Sequence, residues 1–140
     1  MHDYGCAKPV IKMLKLFIDA NGNHDFVPIK DHPTVMEGIF SHAIKTLVLH
    51  LMKVQGLEWY NSYEVAAQRF LDALLLLARY CEVGRLCSYF VPAENLLEAM
   101  SWGDLRRKSL WLRRQIIPRL RNSLHYSEEE CKEVWTEIFV

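Results

Sequence analysis

One stretch constrains the fold more than any other: Ala73–Ala78 is apolar without interruption and lies inside a longer helical pattern. Val65, Phe70, Leu71, Leu74, Leu75, Leu77 and Ala78 leave little of that helix's circumference polar. A helix apolar on most sides has to be enclosed by other elements, so this one is expected at the centre of the fold. Gly84 is placed to end it. The run is far short of the roughly 20 apolar residues that a bilayer span requires.

The enclosing elements read as helices too. Pro9 suits a first helical turn, and Val10, Leu14, Phe17 and Ile18 then recur at three- and four-residue steps. Asn21-Gly22-Asn23 and Pro28 mark a loop over 19–32, after which Asp31 and Pro33 can open a second helix. Met36, Ile39, Phe40, Ala43, Leu47, Leu51 and Val54 mark the buried face expected of that helix, which stops before Gly56. Asn61 and Glu64 have the spacing of a capping box ahead of the central helix. A short helix is expected from about Pro92 to Ser101, a basic one over 104–124 capped by Asp104, and an acidic one over 128–139 capped by Ser127 with Glu130. No strand alternation or internal repeat interrupts the pattern. At 51% hydrophobic and 24% charged residues the composition is that of a folded domain rather than a disordered chain. The expectation is a single all-α domain over 1–140, with five to six helices forming an irregular bundle or a short helical-repeat-like array.

Charge is balanced overall and segregated locally. The formal net charge is zero, yet Asp104–Arg121 holds Arg106, Arg107, Lys108, Arg113, Arg114, Arg119 and Arg121 against Asp104 alone. Ser127–Val140 carries five Glu against Lys132. A polyanion site must therefore be local. On a straight helix, Leu105, Leu112, Ile116 and Leu120 share one arc, with Leu110, Ile117 and Leu124 beside it. Arg107, Arg114 and Arg121 would then form a row along the edge. Pro118 interrupts that ideal, because an interior proline lacks a donor and clashes with the preceding turn. Arginine outnumbers lysine six to one here, which favours directed pairing with carboxylate or phosphate. The partners inside the chain would be Glu128, Glu129, Glu130, Glu133 and Glu137.

Motifs for chemistry fail on inspection. Asp19, Asn21, Asn23 and Asp25 fall at EF-hand positions 1, 3, 5 and 7, but His24 stands where that loop needs Gly and Lys30 where it needs Glu. His42 and His50 lack metal-ligand spacing, and Cys6, Cys81, Cys87 and Cys131 form no C-x-x-C pair. There is no P-loop and no nucleophile elbow. No cofactor or metal is therefore expected. Reduced thiols and the lack of a basic-then-apolar leader at Met1–Cys6 suggest a cytoplasmic or nuclear setting.

What remains are contact surfaces. Trp59, Tyr60 and Tyr63 cluster at one helix junction, and Tyr89 with Phe90 at another, residue types that anchor interfaces. The leading expectation is a non-catalytic protein–protein interaction module, an adaptor or a piece of a larger scaffold. Its contacts would be Arg106, Arg107, Arg113, Arg114 and Arg121 together with Trp59, Tyr60 and Tyr63. Nucleic-acid binding through 104–121 is the alternative, and an enzyme or metalloprotein with a site assembled only in the fold is the third.

Overall fold

The computed structural model describes residues 7–21, 35–55 and 66–139. The described chain is all-α: α1 (Ala7–Asn21), α2 (Ser41–Gln55), α3 (Ala66–Val83), α4 (Trp102–Trp111), a π-helical turn (Leu112–Ile116), α5 (Ile117–Ser123) and α6 (Glu128–Phe139). No strand occurs among the described residues, only one isolated antiparallel bridge between Cys87 and Asn95. The capping signals at Asp31 with Pro33 and at Asn61 with Glu64 lie outside the described residues.

The apolar run does sit at the centre. Helix α3 packs against α1, α2, α4, the π turn and α5. Phe70, Ala73, Leu74, Leu77, Ala78 and Cys81 are essentially inaccessible. Leu75 stays 38% exposed, so the enclosure leaves one side open. Gly84 ends the helix at φ +80°, and its own N–H and that of Arg85 both return to the Tyr80 carbonyl, at 2.8 and 3.1 Å. This left-handed closure is one that glycine adopts without penalty.

Several local expectations give way to tertiary packing. Helix α1 continues through Asp19 and Asn21, because Asn21 Nδ2 donates to the Phe17 carbonyl at 2.7 Å and to Ile138 of α6 at 3.1 Å. Met36 and Ile39 are buried, but in a turn around Gly38 (φ +94°) ahead of α2. Phe40 and Val54, expected on the buried face of that helix, are 68% and 83% exposed. Between Pro92 and Ser101 the chain forms turns instead of a helix. Asn95 is the cause: its Oδ1 accepts from Leu86 and Leu97 N–H at 3.0 and 3.1 Å, and its Nδ2 donates to the Gly84 carbonyl. A side chain that satisfies three backbone groups competes directly with helical hydrogen bonding.

Helix α4 begins two residues earlier than Asp104, and Ser101 caps it by accepting from Asp104 N–H at 3.2 Å. The π turn then widens the helix so that Ile117 N–H bonds to the Leu112 carbonyl five residues back. Pro118 thereby falls in the first turn of α5, where a missing donor costs least. Ser127 Oγ accepts from Glu130 N–H at 3.4 Å ahead of α6. Phe17 joins the layers, its ring lying 5.9, 5.8 and 6.1 Å from those of Phe70, Trp111 and Phe139.

Candidate functional site

The exposed side of α4 and the π turn carries the main concentration of positive charge among the described residues. Helix α4 and the turn after it bury Leu105, Lys108, Ser109, Leu112 and Ile116, which obliges Arg106, Arg107, Arg113 and Arg114 to point outward. Lys108 departs from the sequence expectation. It is 2% exposed, whereas the charge pattern grouped it with the solvent-facing bases. Its position explains this, three residues after Leu105 and four before Leu112, squarely on the apolar arc. Burial pushes its ammonium below the usual lysine range, opposed first by the nearby Asp104 carboxylate.

The acidic helix does not neutralise the arginines as the sequence allowed. Only Arg119 reaches it among the described residues, pairing with Glu137. Arg113 instead crosses to Glu82 of α3 at 3.0 Å, and Arg107 pairs with Asp104 at 3.5 Å across one turn of its own helix. No ion pair involves Arg106, Arg114 or Arg121 among the described residues. Exposed pairs such as these contribute at most about 1 kcal/mol. Holding the fold together is therefore a minor role for this cluster.

Three adjoining depressions give the face its relief. One of about 380 Å³ is lined by Glu82, Trp102, Arg106, Ser109, Leu110 and Arg113. A second, of about 400 Å³, shares Arg106 and Leu110 and adds Arg107 and Arg114. A third, of about 350 Å³, shares Arg113 and brings in Arg79, Asp72 and Leu75. Five arginines thus meet three carboxylates, Asp72, Glu82 and Asp104. Asp72 is already held by Arg69 at 3.2 Å and by Gln55 Nε2 at 3.0 Å.

The predicted row of Arg107, Arg114 and Arg121 is not continuous. A π turn inserts about one extra residue into the helical period. Arg121 is carried roughly 100° round from the line that Arg107 and Arg114 share. Arg106 and Arg113 take its place beside them. Trp59, Tyr60 and Tyr63 lie outside the described residues. Arg79, Glu82 and Trp102 were not among the contact residues expected from the sequence, and the contact of Glu82 with Arg113 joins positions too distant for any local pattern to show.

His50 Nε2 donates to the Cys87 carbonyl at 2.8 Å between the rings of Tyr80 and Tyr89, which fixes its tautomer. His42 is exposed on α2. No cluster of His, Cys, Asp and Glu able to hold a metal occurs among the described residues. Cys81, Cys87 and Cys131 are all free thiols. The EF-hand-like segment lies mostly outside the described residues, and its opening Asp19 and Asn21 are helical.

A family model described as the Mab-21 protein HhH/H2TH-like domain matches residues 6–113. The chain belongs to that family. The Mab-21 match runs from just ahead of α1 through α4 and ends at Arg113 inside the π turn. Arg106, Arg107 and Arg113 fall within it, while Arg114 and the α5–α6 pair follow it. No curated protein and no solved structure matches the chain. Among the described residues, no helix is long and apolar enough to cross a membrane.

Proposed function

We propose that this chain is a non-catalytic binding module whose contact surface is the arginine face of α4 and the π turn, and that its ligand is nucleic-acid phosphate. The observation that carries the reading is the state of Arg106 and Arg114: exposed, side by side on one depression, and without an ion-pair partner among the described residues. Guanidinium forks held this way match phosphate oxygens bidentately. Arg107 and Arg113 sit beside them with donors to spare, since each fork carries five N–H groups and its carboxylate partner engages few of them. Zero net charge gives the chain as a whole no general affinity for polyanions, so any attraction must be local. Free thiols at Cys81, Cys87 and Cys131 suit a cytoplasmic or nuclear setting.

The test is fluorescence-anisotropy titration with labelled single- and double-stranded oligonucleotides over a salt series. The Arg106→Glu/Arg114→Glu variant runs alongside after circular dichroism shows native helicity. Wild-type affinity should fall steeply with salt, and the variant should bind at least about tenfold more weakly. Its salt slope on duplex should drop by about 0.9 for each phosphate no longer neutralised. Equal affinity of variant and wild type would sink the reading.

A protein-binding adaptor is the second reading. It draws on Tyr89, Phe90 and Val91, exposed by 38%, 77% and 52% on the segment after α3. Contacts through those residues would depend little on salt and survive the double charge reversal.

A further inference from the structure

We infer that the cavity lined by Trp102, Arg106 and Arg113 takes one unstacked nucleotide of a single-stranded nucleic acid, its base against the Trp102 indole and its phosphate on the two guanidinium groups. The inference rests on the phosphate-binding reading of the arginine face and goes further, because it names the form of the nucleic acid and the residue that senses it.

Trp102 is the first reason. It opens α4 and remains 68% exposed, a large aromatic surface left in water at the rim of a basic cavity. It is also held in place. The benzene half of the indole lies over Gly84, where a Cβ atom would stand 3.4 Å from the ring. Gly84 has φ +80°, so the residue that ends α3 also provides the flat seat for the ring. A ring supported on one side and open on the rest is a ready stacking platform. Such platforms bind bases regardless of sequence, because every base has a π-face.

Size and charge are the second reason. A volume of about 380 Å³ lies at the low end of the roughly 300–1,000 Å³ typical of small-molecule clefts. That is room enough for one nucleotide. Arg106 has no carboxylate partner among the described residues, and Arg113 reaches the same cavity while held at 3.0 Å by Glu82. The Glu82 contact fixes where the Arg113 fork lies and leaves its other donors for a phosphate. An acidic peptide would use its carboxylates on the arginines and would need a separate apolar side chain to cover the indole. A base-paired duplex would answer the arginines and present no free base face.

The experiment compares anisotropy titrations of a labelled eight-residue oligothymidylate with those of a labelled duplex of the same length. Wild type, Trp102→Ala, Trp102→Phe and the double charge reversal at Arg106 and Arg114 are used, each checked for native circular dichroism. Trp102→Ala should weaken single-strand binding by roughly tenfold or more, a typical loss for one stacked base. Duplex binding should stay within about twofold, and Trp102→Phe should recover most of the single-strand affinity. If Trp102→Ala leaves single-strand affinity unchanged while the charge reversal still abolishes binding, the nucleotide cavity is overturned and the phosphate reading stands. If single strand and duplex weaken alike in Trp102→Ala, the base-stacking role is overturned as well. Wild type that binds neither probe overturns both readings.

Discussion

Cys81 and Lys108 face each other across the α3–α4 contact, both buried, and their titrations oppose one another. Burial pushes the Cys81 thiol up from its ordinary 9.0 to about 11, with the Lys108 ammonium acting in the other direction. The folded state therefore keeps a proton that the unfolded chain gives up between about pH 9 and 11, so this thiol lowers stability as pH rises through that window. Lys108 behaves in the opposite sense. Its folded value is lowered, so the unfolded chain binds the extra proton and stability rises with pH up to the ordinary lysine value. Comparison with Cys81→Ala separates the two. In urea unfolding at a series of pH values, wild type should lose on the order of 2 kcal/mol relative to Cys81→Ala between pH 9 and 11. A difference independent of pH would show that the thiol is not held in its neutral form. The burial of Lys108 was legible in its i+3 and i−4 spacing to Leu105 and Leu112.

Among the elements, the π turn has the widest consequences. Pro118 in the interior of a straight α-helix would lose a hydrogen bond and press on the preceding turn. The extra residue in Leu112–Ile116 relieves that conflict while keeping Leu112, Ile116, Ile117 and Leu120 in the core. It also moves Arg121 away from Arg107 and Arg114 and leaves Leu124, expected on the second apolar stripe, 40% exposed. Deletion of the exposed Gln115 should restore the α-helical period and strand Pro118 in mid-helix. A loss of about 3 kcal/mol is expected in chemical denaturation. A deletion variant as stable as wild type would mean that the turn is not what accommodates the proline. The proline itself was visible in the sequence as a break. How a helix absorbs such a break is set by what its two ends pack against.

At the scale of the whole molecule, Phe17 links α1 to α3, α4 and α6 through the rings of Phe70, Trp111 and Phe139. It is fully buried, so Phe17→Ala should cost about 3–5 kcal/mol, measured by urea unfolding at neutral pH. A loss under about 1 kcal/mol would place the organising contacts elsewhere. Helix α6 leans on the same cluster: Trp135 stacks near Phe139, and its Nε1 donates to Ser123 Oγ at 2.8 Å. Its glutamates remain largely at the surface, so the molecule keeps its basic and acidic regions apart, joined by Arg119 and Glu137. The candidate face is correspondingly basic on a chain without net charge.

Local pattern was enough to establish that the described chain is helical, that Ala73–Ala78 lies at the centre and that Gly84 ends α3. Each depends on periodicity or on the conformational range of a single residue, and neither needs a distant partner. Packing of helix on helix was needed to set Lys108 against Cys81, to let Asn95 replace a helix by turns, to bring Arg113 to Glu82 and to rest Trp102 on Gly84. Those outcomes depend on which helix lies against which, and the contacts that make them join residues too far apart for any local spacing to encode.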